Sequence, residues 1–180
     1  MTTLRAFQKI ADETFTSRMS GHGFTKIALG YYVRNRWPLH DVVWWYTLRS
    51  GESLRVYATC WTPAGYTPEA LNDYPRCIGN VLGSEISADG FDRGVWEIGS
   101  PDAERLVLEA LWAAIKQHAF PWFDEIQTAD EYLEKFRWMR DLNRDFRERV
   151  KQELPGLFAM RGTHVQQLLQ ADAAAQRGLS

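Results

Sequence analysis

Residues 41–62, DVVWWYTLRSGESLRVYATCWT, decide the fold. Val42, Trp44, Tyr46 and Leu48 alternate with Val43, Trp45, Thr47 and Arg49. After Ser50-Gly51-Glu52, Leu54, Val56, Ala58 and Cys60 alternate with Arg55, Tyr57, Thr59 and Trp61. Period-two alternation of aromatic and β-branched residues around a glycine turn predicts a β-hairpin. A register follows from matching the apolar sets. Pairing Arg49 with Ser53 across a three-residue loop places Leu48 against Leu54, Tyr46 against Val56 and Trp44 against Ala58, all on one buried face. A two-residue Gly51-Glu52 loop would put Leu48 opposite Arg55 and send one strand's apolar set to the wrong side, so the longer loop is preferred.

The rest of the chain supplies what packs on this hairpin. Its 180 residues suit one domain, 1–180, and a domain of that size buries roughly 70% of its unfolded-chain surface. Eight Trp, seven Tyr and nine Phe demand either a heavy core or an aromatic recognition surface. The formal net charge of −2 gives no pull toward nucleic acid or an anionic membrane. No apolar run approaches the ~20 residues of a membrane span. Nothing at the N-terminus reads as a secretory segment, so Cys60 and Cys77 are expected as reduced thiols in the cytoplasm.

Upstream, residues 3–19 carry Leu4, Phe7, Ile10, Ala11, Phe15 and Met19 at helical spacing, and Ser20-Gly21-His22-Gly23 ends that helix. Alternation over Ile27–Val33 predicts one strand, bulged or bent at Gly30, followed by a turn over residues 35–40 around Pro38. Downstream, residues 63–76 form a proline-rich loop. Residues 77–86 fit a short strand or a short helix equally. Residues 94–98 read as a last strand. Ser100-Pro101 opens a helix bearing Leu108, Leu111, Trp112 and Ile115 that reaches about His118, where Pro121 ends or restarts it. Thr128-Ala129-Asp130-Glu131 is a capping box that opens a helix running to about Glu153, stopped by Pro155-Gly156. Thr163 with Gln166 opens a final helix.

Strands that run together between helices, without alternation, predict an α+β fold. It comprises an antiparallel sheet of three to five strands, one helix before it and two to four helices packed on it after. Residues 4–136 form the core and residues 137–180 a C-terminal helical extension.

Two surfaces invite a binding reading. In the register above, Trp45 faces Tyr57 on the second side of the hairpin, with Trp61, Arg49 and Arg55 beside them. That set is either an aromatic and basic platform for a ligand or a face covered by a helix. Arg137, Arg140, Arg144, Arg147 and Lys151 are spaced 3, 4, 3 and 4, one stripe of a helix. They could meet phosphate or an acidic partner, but interleaved Asp141, Asp145 and Glu148 favour a salt-bridged exterior, and nucleic acid is not an expected partner. His22, His40, His118 and His164 lack metal-ligand spacing, so no metal and no cofactor are expected. Cys60 falls on the hairpin's core face and reads as a small buried hydrophobe. His118, Asp124 and Glu125 could gather at a helix end. Pro121-Trp122-Phe123-Asp124 reads as a packing device, its aspartate set early in a helical turn. No nucleophile–base–acid grouping and no phosphate-binding loop is legible, so no catalytic residue is assigned.

Gly23-Phe24-Thr25-Lys26 after the first helix, the hairpin, Trp96-Glu97-Ile98 before a helix and Pro121-Trp122-Phe123-Asp124 after it resemble domain-of-unknown-function family 4304, over residues 4–136. The resemblance implies a small bacterial cytosolic α+β protein and transfers no catalytic residue. Two functions follow as expectations. One is a non-enzymatic binding protein, an immunity-type inhibitor or a regulator, acting as monomer or homodimer on a protein partner or small ligand. The other is a small enzyme or ligand-binding protein with a pocket between sheet and helices.

Overall fold

Helix α1 (Leu4–Ser20) buries Phe7, Ala11, Phe15 and Met19, one residue per turn along a single stripe, whereas Ile10 stays exposed. Its end is closed by backbone bonds from Gly21 to Ser17, His22 to Met19 and Gly23 to Ser20, with Gly23 at φ +80°. The computed structural model describes residues 4–47, 53–64, 80–82, 95–97, 101–135 and 144–162. The chain divides into two compact units, Met1–Trp61 with Asp73–Glu125, and Thr62–Asn72 with Ile126–Ser180.

The sheet belongs to the first unit. Strands β1 (Phe24–Ala28), β2 (Tyr31–Arg36), β3 (Leu39–Thr47) and β4 (Ser53–Trp61) are neighbours in chain order, each antiparallel to the next. Two short strands, β5 (Asn80–Leu82) and β6 (Val95–Glu97), pair antiparallel with successive parts of β4. The fold is therefore α+β, one helix, an antiparallel sheet, then helices. The single strand expected over Ile27–Val33 is in fact two. Gly30 adopts φ +66°, so the chain reverses at Leu29-Gly30 instead of bending within one strand. The turn expected over residues 35–40 shrinks to Trp37-Pro38, whose peptide is cis, and His40 already lies in β3.

The β3–β4 register differs from the one read from the sequence. Trp45 pairs with Val56, Trp44 with Tyr57, Val43 with Ala58 and Asp41 with Cys60. Val56 and Ala58 are buried as expected, but Trp45, not Trp44, shares their face. Apolar matching could not decide this, because Val42 and Val43 are both fully buried and β3 is apolar on both sides. Two other demands fix which side of β3 faces α1, and β4 follows by setting its buried Val56 and Ala58 on that side. Asp41 must share a face with Arg34 and Arg36, and Trp45 must lie beside Gly30, which has no Cβ to displace its indole. The hairpin loop, with Leu48 and Arg49, lies outside the described residues.

Helix α2 (Pro101–Ala114) passes through a π-helical turn, Ile115–Ala119, into α3 (Phe120–Asp124). Helical structure thus continues where a break near His118 was expected. Pro121 stands near the start of α3, where its missing N–H removes no bond that the turn requires. Trp122 and Phe123 are both buried, at 9% and 0% exposure.

In the second unit, α4 (Ala129–Lys135) opens with the expected capping box: Glu131 N donates to Thr128 Oγ1 at 3.2 Å, and Gln127 N to the Glu131 carboxylate at 2.8 Å. The Gln127 N–H and, after it, the Thr128 hydroxyl hold the Glu131 carboxyl below its usual range. Helix α5 (Arg144–Ala159) buries Phe146, Val150 and Leu154. Pro155 does not stop it. The ring is exposed, and the buried Leu154 before it holds the backbone helical despite one lost bond. The remaining expectations, for residues 65–79 and 163–180, with Cys77 and His164, lie outside the described residues.

Candidate functional site

The β2–β3–β4 register stacks residues in rows across the sheet. On the face toward α1 the rows are Tyr32, Val43 and Ala58, then Arg34, Asp41 and Cys60. On the opposite face they are Tyr31, Trp44 and Tyr57, then Val33, Val42 and Thr59, then Asn35, His40 and Trp61.

The first face holds the buried charges. Asp41 is fully buried, and its carboxylate accepts from Arg34 Nε at 2.7 Å and Arg36 Nε at 2.6 Å on one oxygen and from Arg36 Nη2 at 2.7 Å on the other. Arg36 Nη2 also donates to Phe123 O at 2.8 Å, and Arg34 Nη2 to the exposed Asp124 carboxylate at 2.9 Å. Both arginines therefore tie the C-terminal end of α3 to β2. Asp124 was expected early in a helical turn; it is the last residue of α3, and its partner is a guanidinium. The Arg34 guanidinium also lies 5.2 Å from the ring centre of Phe24 and 5.9 Å from those of Phe120 and Phe123. A planar cation suits such a slot, since its faces meet rings while its edge donates. Burial opposes the Arg36 charge, but the bonds and charge of Asp41 outweigh it and raise its pKa. Burial and, after it, the Asp41 charge push the Cys60 thiol well up, so it stays protonated and inert, as its core position suggested.

A second polar knot joins α1 to the sheet. Lys26 pairs with Asp12, and the buried Tyr32 hydroxyl lies 3.1 Å from both the Asp12 carboxylate and Thr16 Oγ1. Burial raises the Tyr32 pKa, so the phenol remains a neutral donor. These groups satisfy one another and act as fasteners.

The opposite face carries aromatic rings. Tyr31 and Trp44 stack with centroids 6.4 Å apart and planes 24° apart; Trp44 and Tyr57 stack at 4.6 Å and 12°. All three are half-buried, whereas Val42 and Thr59 in the adjoining row are fully enclosed. His40 and Trp61 sit 4.9 Å apart at the far end of the face, and burial lowers the His40 pKa against the opposing pull of Asp41.

The residues expected to form the aromatic platform are thus divided. Tyr57 and Trp61 lie on this face. Trp45 is on the other, buried edge-on against Phe15 and tilted against Tyr32. The physical cause is the one-residue slip in register, which exchanges a strand's faces. Arg49 and the side chain of Arg55 lie outside the described residues. Sequence reasoning missed Tyr31 and Trp44. The alternating Arg34 and Arg36 in β2, set against a lone Asp41 in β3, could have found them, because pairing those charges fixes the face of every other residue.

Of the basic stripe, Arg137 and Arg140 lie outside the described residues. Arg144 is exposed, Arg147 donates to Leu133 O at 3.2 Å, and Lys151 pairs with Glu148 at 3.2 Å. Among the described residues no group of three or more His, Cys, Asp or Glu side chains could hold a metal ion, and no helix is long and apolar enough to cross a membrane. No family model, no curated protein and no solved structure matches the chain.

Proposed function

We propose that this is a non-enzymatic binding protein, an immunity-type inhibitor or a regulator, that meets a protein partner with the Tyr31–Trp44–Tyr57 row. The observation that carries the reading is the stacking of three half-buried rings across three adjacent strands. Rings held by cross-strand neighbours lose little conformational freedom on binding, and aromatic side chains dominate interface energetics for that reason. Four described polar groups support it from the other side, since Asp12, Tyr32, Asp41 and Cys60 are committed to internal contacts. The resemblance to family 4304 has no activity to transfer, so a bacterial cytosolic setting is part of this proposal and not a support for it.

The test begins with co-purification from the native host and proceeds to titration calorimetry with the isolated partner. Trp44→Ala and Tyr57→Ala are expected to weaken binding at least about tenfold, roughly 1.4 kcal/mol, with circular dichroism confirming the fold. Lys116→Ala, an exposed change on the π-helical turn, should leave affinity unaltered. Undiminished affinity in both aromatic variants would move the partner elsewhere on the molecule. Turnover of a small molecule that depends on Asp12 or Tyr32 would replace this reading with a small enzyme.

A further inference from the structure

We draw no further inference here: the strongest candidate, the exposed outer edge of β1 with Ile27 and Leu29 beside it, is short and bulged between Lys26 and Ala28, and nothing in the structure shows what covers it.

Discussion

Gly30 and Trp45 are so close that a Cβ built on the glycine would lie 2.7 Å from the indole Nε1. The backbone joins them too, Trp45 N donating to Gly30 O at 3.0 Å. Gly30 also holds φ +66°, which L side chains rarely adopt. Gly30→Ala is therefore expected to destabilise the protein by about 2–5 kcal/mol, the sum of left-handed strain and overpacking. Urea unfolding measures it. A variant within about 0.5 kcal/mol of the parent would show that the hairpin and the indole do not depend on each other.

Asp41 pairs with two arginines from a fully buried position. Asp41→Asn keeps the shape and removes the charge, leaving Arg34 and Arg36 without their shared counter-ion. A cost of about 3–5 kcal/mol is expected, the range for breaking a buried pair on one side. Chemical denaturation of the variant is the measurement, and a loss under about 1 kcal/mol would mean the arginines find water instead.

Trp122 and Asp124 are two residues apart and should behave oppositely. Trp122→Ala removes a buried ring and is expected to cost about 3–5 kcal/mol. Asp124→Asn touches an ion pair whose carboxylate is 63% exposed and is expected to cost less than about 1 kcal/mol. Thermal melts of both variants check the contrast. A stable Trp122→Ala protein that no longer binds its partner would make this segment a site.

His40 gives the protein a sloped stability on the acid side. Burial lowers its folded pKa below 6.5, so the unfolded chain takes up the proton first as pH falls. Its contribution is complete above about pH 6.5 and is lost as pH falls from there through the lower folded value. Unfolding free energy should fall over that window more steeply for the parent than for His40→Gln. Parallel curves would show that the imidazole is equally solvated in both states.

Element types were legible wherever one physical rule acted alone. The α1 stripe, the capping box at Thr128 and the antiparallel hairpin each came from local pattern. The hairpin's register was not, because Val42 and Val43 are equally apolar and both buried. The long-range match of Arg34 and Arg36 with Asp41 and the fit of Trp45 beside Gly30 separate the two faces, and pattern within one strand contains neither. The same limit applied to the site. Tyr57 and Trp61 were read on the face they occupy, Trp45 was placed on the wrong side, and Tyr31 was hidden because Ile27–Val33 read as one strand. Pro155 misled for the opposite reason, since a local stop signal was overruled by the buried stripe of α5.

The π-helical turn makes the segment after α2 an α-helix carrying one residue too many. At about 100° per residue, an unbroken helix would turn Phe120 roughly 120° away from Leu108 and out of the buried stripe. The wider turn absorbs about one residue of rotation and brings Phe120 back to the buried side. Deleting one of its exposed members, Lys116 or Gln117, would thus shorten the chain without changing which rings face the sheet. Pro121 would then stand inside a regular helix and clash with the preceding turn, so the shortened chain would need alanine in its place. Length variation at this point is open to the protein only as a coupled pair of changes.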